Sequence, residues 1–185
     1  DAMKDFDQAY LNINTEIKNS NVSEMKEAIY AYYHDQFTPK YAELNPNQQV
    51  PVNLRQVVDA LPEQAVILQY NYIATNKNIL GEKNKLAAAE DGSSWSRYHS
   101  KYHAAISNYL NEFGYYDVFL INPEGRVVYT VYKELDFVSD LEKGPWSNSN
   151  FANLYKQAKT KQSGEIVFAD FDLYTPSYDQ PAGFV

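Results

Sequence analysis

The first 113 residues carry apolar side chains at the spacing of α-helices. Apolar residues recur every three or four positions over 6–17, over 54–73 and over 95–113, so each stretch forms an apolar stripe along one side of a helix. Pro62 interrupts the second stretch and predicts a kink or a new helix start there. Gly114 follows the third stretch and predicts its end, because glycine accepts the left-handed backbone that closes many helices. This part of the chain is therefore predicted to be helical.

Polar residues that favour helix starts stand ahead of several helices. Residues 19–21 interrupt the first amphipathic pattern, and Asn21 is predicted to cap a second helix that follows it. Thr38 precedes Pro39, which is the combination of an N-cap with proline at the first helical position, so a further short helix is expected to begin there. Ser93 is expected to cap the last helix. These signals divide the helical region into several segments.

The spacing of apolar residues changes after residue 113 to that of strands. Runs 115–121 and 126–132 are rich in β-branched and aromatic residues. Residues 122–125, Asn-Pro-Glu-Gly, predict a tight turn between them, because proline presets one φ angle and glycine accepts a positive one. The two runs therefore form a predicted β-hairpin. Since side chains alternate along a strand and neither face of the second run is plainly polar, we expect the hairpin to be covered on both sides.

Further strands are predicted after the hairpin. A short helix is expected over 150–161, a third strand over 165–171 and the start of a fourth at Ala182. Because a sheet commonly has about five strands, we expect all of them to belong to one small sheet whose last strand lies beyond the sequence. The predicted fold is α+β: long N-terminal helices over 1–113 pack with an antiparallel sheet over 114–185, and together they form one unit.

Charge and composition narrow the classes of function. The chain has 16 basic and 24 acidic residues, a net charge of −8, which opposes general binding to nucleic acid or to an anionic membrane surface. It has no cysteine, which excludes a disulfide framework and a thiolate metal site. No apolar run approaches the roughly 18–20 residues that a membrane-spanning helix needs.

Two histidines, His99 and His103, stand four residues apart on one predicted helix and therefore face the same side. This spacing suits a metal or a haem, and it equally suits a packed or hydrogen-bonded pair. The segment lacks the glutamate of a zinc protease, and no third ligand is evident. The sequence also has no Gly-x-Ser-x-Gly elbow and no phosphate-binding loop. We therefore expect no metal, no cofactor and no enzymatic activity.

Short motifs follow one another in a characteristic order from about residue 61 to the end. They are Tyr72-Ile73, Gly81-Glu82-Lys83, Glu90-Asp91-Gly92-Ser93, His99, Tyr102-His103, Gly114-Tyr115-Tyr116-Asp117, the run VYTVYKE from Val128 to Glu134, Gly144-Pro145, Asp170-Phe171, Tyr174-Thr175-Pro176-Ser177 and Pro181-Ala182. In this order they resemble the extracytoplasmic sensor region of bacterial methyl-accepting chemotaxis proteins. The C-terminal part resembles a Cache (PDC, PAS-like) domain, and residues 1–44 match only as the long membrane-proximal helix of such receptors.

The resemblance implies the ligand-binding sensor domain of a transmembrane bacterial chemoreceptor, with a PAS-like antiparallel sheet that stops before its last strand. It implies a parent chain anchored by one membrane helix before residue 1 and another after residue 185, so the domain is expected in the periplasm, as the extracytoplasmic part of an inner-membrane protein. It further implies a homodimer in the full-length receptor. The expected partner is a small solute: an amino acid, an organic acid or an amine.

Ligand pockets of such domains lie on one face of the sheet, beneath the segment between the second and third strands, and this implies a set of candidate ligand-binding residues. Asp170 or Asp172 would pair with a ligand ammonium group, and Lys133 with a carboxylate. Aromatic side chains would close on aliphatic groups or on a cation. The set is Tyr129, Lys133, Trp146, Asp170, Asp172, Tyr174 and Tyr178.

Other interpretations of the same pattern stay open at this point. Strand tyrosines are often core residues, and an aspartate beside a turn often binds its own backbone. The output of the receptor could also be a histidine kinase or a cyclase. From a different class, the chain could be a secreted module that binds carbohydrate or peptide, which predicts an open cleft lined by carboxylates.

Overall fold

The computed structural model describes residues 1–18 and 20–185 and has an α+β fold, with 49% of the residues in helices and two small antiparallel sheets. Asn19, which belongs to the predicted interruption 19–21, lies outside the described residues. Among the described residues, the α-helices precede the first strand except for one, which lies between the two sheets.

The N-terminal helices follow the predicted apolar stripes. Helix α1 spans Ala2–Glu16, α2 spans Val22–Tyr32 and α3 spans Thr38–Leu44. The Asn21 side chain accepts a hydrogen bond from the backbone N–H of Glu24 at 3.3 Å, which confirms the predicted N-cap of α2.

The predicted N-cap at Thr38 is wrong, because the chain does not leave the helix there. A π-helical segment, Tyr33–Phe37, connects α2 to α3 without a break. Thr38 donates its backbone N–H to the carbonyl of Tyr33, and its hydroxyl donates to the same oxygen at 3.2 Å. A widened turn relieves the clash between a proline ring and the preceding helical turn, so Pro39 is accommodated inside a continuous helix.

The remaining helices of the first region lie where the sequence predicts them. Helix α4 spans Leu54–Asp59, and α5 spans Glu63–Gln69 and continues into a second π segment, Tyr70–Ala74. A 3-10 turn, Lys83–Lys85, precedes the longest helix, α6, at Ser94–Phe113. The hydroxyl of Ser93 accepts the N–H of Ser96 at 3.0 Å, and Gly114 closes α6 with a φ of 70°, so both predicted ends are confirmed.

The predicted hairpin is present but shorter. Strand β1 (Phe119–Ile121) pairs antiparallel with β2 (Val127–Thr130), and Gly125 in the turn has a φ of 88°. All four residues of β2 are buried, which confirms that this strand is covered on both faces. Residues 115–118 do not extend β1, and the Asp117 carboxylate there accepts the N–H groups of Val131 and Tyr132, which follow β2.

The C-terminal part differs from the prediction of one sheet. Helix α7 spans Asn150–Ala158, and β3 (Ala169–Tyr174) pairs only with β4 (Gln180–Phe184) among the described residues. The two hairpins therefore form separate two-stranded sheets. Aromatic side chains fill the space between them: the ring of Phe151 on α7 lies 4.6 Å from the rings of both Phe119 and Phe184.

The largest core joins α1, α6 and β2. Phe6 is fully buried and its ring centroid lies 5.1 Å from that of Trp95 and 4.8 Å from that of Tyr129. The apolar stripe of α1 is thus covered by its own chain. Across residues 1–18 and 20–185, no helix combines the length and the hydropathy that crossing a membrane requires.

Candidate functional site

Two of the predicted site residues, Lys133 and Tyr178, line one narrow cavity. Its volume is about 20 Å³, which is room for about one water molecule. The cavity lies where the end of α2 and the loop before α6 meet the residues after β2 and the turn between β3 and β4. Its lining comes from Tyr32, Tyr33, Phe37, Ile73, Leu80, Gly81, Lys83, Tyr132, Lys133, Glu134, Leu135 and Tyr178.

Lys133 is only 2% exposed and has a left-handed backbone with a φ of 57°. Its Nζ donates to the carbonyl oxygens of Thr130 and Val131 at 2.8 and 3.0 Å and lies 4.8 Å from the centre of the Tyr129 ring. Burial lowers the pKa of Lys133, and the negative charge of Asp117 acts in the opposite direction. The ammonium group is therefore held inside the protein rather than presented to a ligand carboxylate.

Asp117 organises the end of the hairpin. Its carboxylate accepts the hydroxyl of Thr130 at 2.6 Å and the backbone N–H groups of Val118 and Val131 at 2.6 and 2.8 Å. Burial raises the pKa of Asp117, while these donors oppose the rise. The residue resembles a structural capping group more than a ligand contact, because both of its oxygens are occupied.

Glu134 supplies the carboxylate of the cavity wall, and the candidate set does not contain it. It is half-buried, and its carboxylate accepts the hydroxyl of Tyr116 and the hydroxyl of Ser177, each at 2.9 Å. Burial raises the pKa of Glu134 to about 8, and the charge of Asp136 adds to the rise. Both donors come from other parts of the chain, so no local pattern around residue 134 indicates this site.

Tyr174 lies behind the cavity rather than in its wall. Its hydroxyl donates to Oδ2 of Asp136 at 2.7 Å, and both side chains are buried. Burial raises the pKa of Asp136 to about 7. The Oδ1 atom of Asp136 has no hydrogen-bond partner among the described residues.

Tyr129 is a core residue that connects the site to α6. Its hydroxyl lies 2.7 Å from Nδ1 of His103, whose Nε2 lies 2.6 Å from the carbonyl oxygen of Asn84. The ring of His99 stacks on that of His103 with centroids 4.2 Å apart. Both ring nitrogens of His103 are engaged in hydrogen bonds. Of the two arrangements that the sequence allows for these histidines, the structure therefore shows the packed, hydrogen-bonded pair. Within the described part of the chain, no three histidine, aspartate or glutamate residues are grouped to hold a metal.

Trp146 supports the cavity from outside. It is buried, and its indole N–H donates to the carbonyl of Leu135 at 3.4 Å. Because Leu135 lines the cavity, Trp146 fixes the backbone of the wall without reaching the space itself.

Asp170 and Asp172 lie away from the cavity, on the exposed part of β3. The carboxylate of Asp170 accepts the N–H of Phe171, and that of Asp172 accepts the N–H of Leu173, each at 2.8 Å. These are contacts with their own backbone. The structure therefore brings Lys133 and Tyr178 together, places Tyr129, Trp146 and Tyr174 around them, and leaves the two aspartates elsewhere.

A larger groove of about 890 Å³ lies between β1 and β4. Its lining is mainly apolar and includes Phe119, Phe151 and Phe184. Within the described residues, each of these two strands pairs on one edge only, and both strands contribute residues to the lining of the groove. No protein-family model, no curated protein and no solved structure shows a significant match to the chain.

Proposed function

We propose that the protein is the ligand-binding sensor domain of a transmembrane bacterial chemoreceptor and detects a small extracytoplasmic solute. The order of motifs from Tyr72 to Ala182 supports this function, and the proposal includes that the two hairpins belong to a PAS-like (Cache) arrangement. The observation that carries the proposal is the cavity at Lys133, Glu134 and Tyr178, because the helical region and both hairpin regions build it jointly.

The walls of the cavity connect the helices to the β3–β4 turn directly. The ring of Tyr178 stacks on that of Phe37 with centroids 4.7 Å apart. Next to it, the Tyr41 hydroxyl donates to Asp179 at 2.5 Å, and the Asn45 side chain donates to the carbonyl of Tyr178 at 2.8 Å. A solute that moves Tyr178 therefore also moves the π segment and α3.

This coupling gives a route from binding to signalling. A ligand shifts the equilibrium between two helix arrangements only by the difference in its affinity for them. A tenfold preference for one arrangement corresponds to about 1.4 kcal/mol. In the parent receptor, we place this domain on the periplasmic side of the inner membrane, in a homodimer whose helices pass the shift to the signalling part.

A thermal-shift screen tests the proposal. Amino acids, organic acids and amines are compared, because a ligand that binds only the folded state raises the melting temperature, Tm. We expect one chemical class to raise Tm in the wild type and to lose this effect in Tyr178→Asn, since asparagine tolerates the positive φ of 61° at this position. Tyr109→Ala is the control, because Tyr109 is exposed on α6 away from the cavity. If none of these chemical classes raises Tm, the proposal is contradicted.

The groove between β1 and β4 favours a second candidate function, a secreted module that binds peptide. The unpaired edges of β1 and β4 can pair with an extended segment, and the apolar lining can bind its alternate side chains. Fluorescence anisotropy with labelled extended apolar peptides tests it. Binding that is lost in Phe184→Asp and kept in Tyr178→Asn supports this candidate.

A further inference from the structure

We propose that the groove between β1 and β4 holds one further β-strand, formed by the residues that follow Val185 in the parent receptor. This inference rests on the proposed function, because the chain of such a receptor continues after residue 185 towards a membrane helix. The added strand joins the two hairpins into one sheet of five strands. Four features of the groove lead to it: unpaired strand edges, a helical layer on either face, exposed apolar side chains, and charges that already have partners.

The two strands beside the groove each have an unpaired edge. Among the described residues, β1 pairs only with β2 and β4 only with β3. Phe119 on β1 and Phe184 on β4 line the groove, and the ring centroid of each lies 4.6 Å from that of Phe151 on α7. The two strands therefore pack on the same helix, with a space of about 890 Å³ beside them. An unpaired edge offers a row of N–H and C=O groups, so one extended segment in this space can pair with both strands.

The two faces of β1 show which layers surround the groove. Leu120 packs against the core that α1 and α6 form with β2, whereas Phe119 and Ile121 pack against the core around α7. Successive side chains of a strand point to opposite faces, so α1 and α6 lie on one face of β1 and α7 on the other. A strand added beside β1 lies between the same two layers. Strands that are covered on both faces carry apolar side chains at successive positions, which defines the chemistry of the occupant.

Apolar side chains at the groove are left uncovered. Four of them line it and are each at least 40% exposed: Tyr109, Tyr115, Ile166 and Val185. The rings of Tyr109 and Tyr115 stack with their centroids 6.0 Å apart, so they form a continuous aromatic surface at the end of α6. A contiguous exposed apolar patch marks an interaction site, and an apolar strand in the groove covers this one.

The charged residues of the groove already have partners. Its lining contains one aspartate, one glutamate and one lysine. Both oxygens of Asp117 accept hydrogen bonds within the first hairpin region. The Nζ of Lys159 lies 2.7 Å from a carboxylate oxygen of Glu142, and Glu165 accepts a backbone N–H at 2.7 Å. The groove therefore presents no charge that requires a charged occupant.

The position of β4 favours the following residues of the same chain as the occupant. Strand β4 spans Gln180–Phe184, and Val185 itself lines the groove. Strands that are consecutive in sequence are neighbours in about two-thirds of cases, and a hairpin turn needs only about 2–5 residues. A short turn after β4 thus returns the chain along the unpaired edge of β4 and beside β1.

Hydrogen exchange tests the proposal in a longer chain, which carries about 20 further residues of the parent gene after Val185, enough for a turn and a strand. We expect the backbone N–H groups of residues 119–121 and 180–184 to exchange at least about tenfold more slowly than in the 185-residue chain, because both edges become paired. Helix α4, Leu54–Asp59, does not line the groove and is the internal control, with unchanged exchange.

Cysteine cross-linking locates the added strand independently. The chain has no cysteine, so introduced thiols have no competitors in it. Ile121→Cys on β1 is combined with one cysteine at each added position in turn. We expect disulfides at alternate positions of the added strand, because only every second side chain lies on the face of Ile121. Leu11→Cys is the control and should form none, since Leu11 is exposed on α1 and does not line the groove.

The outcomes separate this inference from the proposed function. Unchanged exchange at 119–121, or no disulfide with Ile121→Cys, overturns the added strand. Labelled apolar peptides that bind the longer chain as tightly as the 185-residue chain also overturn it, because the groove is then open. A solute that raises Tm in both chains while 119–121 stay unprotected supports the sensor function and overturns the strand. Protection of 119–121 without a Tm shift from any solute class supports the strand and contradicts the sensor function.

Discussion

The hydroxyl of Ser177 donates a hydrogen bond of 2.9 Å to Oε2 of Glu134, although 43 residues separate them in the chain. Ser177 belongs to the turn between β3 and β4, and Glu134 follows β2. No strand pairing joins these two hairpins within the described residues. Side chains at the cavity therefore connect the two small sheets, and the connection depends on an ionisable group.

The first prediction concerns the charge of Glu134. Its pKa is raised to about 8, mainly by burial, with Asp136 and Asp117 adding to the rise. The folded state keeps the proton that the unfolded state releases near pH 4.5, so stability falls as pH rises from about 4.5 to about 8. At pH 9 we expect the free energy of unfolding of Glu134→Gln to exceed that of the wild type by about 2 kcal/mol, which corresponds to several degrees in Tm.

Thermal unfolding from pH 5 to pH 9 checks this difference. The variant and the wild type should diverge progressively with pH, because only the wild type must ionise a half-buried carboxyl. Glu142→Gln should show no such divergence, since its carboxylate is paired with Lys159 at the surface. Parallel curves for wild type and Glu134→Gln would show that Glu134 ionises as freely as in the unfolded chain.

Asp117 is predicted to be essential for stability. Asp117→Ala removes the acceptor for the Thr130 hydroxyl and for backbone N–H groups that include that of Val131. It also leaves the buried Lys133 without its counter-charge. We expect a loss of about 3–5 kcal/mol in the free energy of unfolding, measured by urea denaturation. Asp170→Ala is the control and should cost at most about 0.5 kcal/mol, because Asp170 is exposed.

The packing of α1 gives the third prediction. Phe6 is fully buried against Trp95 and Tyr129, whereas Leu11 on the same helix is 56% exposed. We expect Phe6→Ala to cost about 3–5 kcal/mol and Leu11→Ala less than about 1 kcal/mol in the free energy of unfolding. Similar small losses for both would mean that the apolar stripe of α1 is covered by something other than its own core.

The stacked histidines predict acid sensitivity. Burial, followed by the charge of Lys133, lowers the pKa of His103 to about 4, and burial also lowers that of His99. The unfolded chain binds these protons near pH 6.5, so stability is lost as pH falls from about 6.5 to about 4. Histidine ring signals in NMR titrations should remain those of neutral His103 at pH 5.5. Protonation of His103 above pH 6 contradicts this arrangement.

Local signals in the sequence predicted the ends of elements well. Ser93 caps α6, Gly114 ends it and Gly125 closes the hairpin turn, since each of these depends on backbone geometry within a few residues. Thr38 failed as an N-cap because a π segment absorbs the strain of Pro39, which a rule for regular α-helices does not include.

Long-range relationships could not be predicted in the same way. Glu134 receives its two hydrogen bonds from residues 18 and 43 positions away, so nothing near it indicates a buried carboxylate. Alternation along a strand places Asp170 and Asp172 on one face, but it does not say whether another layer covers that face. Alternation also does not determine which strands pair. For that reason the sequence predicted a single sheet, whereas the structure has two separate hairpins.

Hydrogen exchange with and without a bound solute tests most directly the claim that one cavity couples the helices to both hairpins. For a solute that raises Tm, we expect slower exchange in four separate segments at once: the π segment 33–37, the loop 80–83, residues 132–135 and the turn 175–179. Protection confined to β1, α7 and β4 would instead place the solute in the groove between the hairpins and would contradict coupling through the cavity.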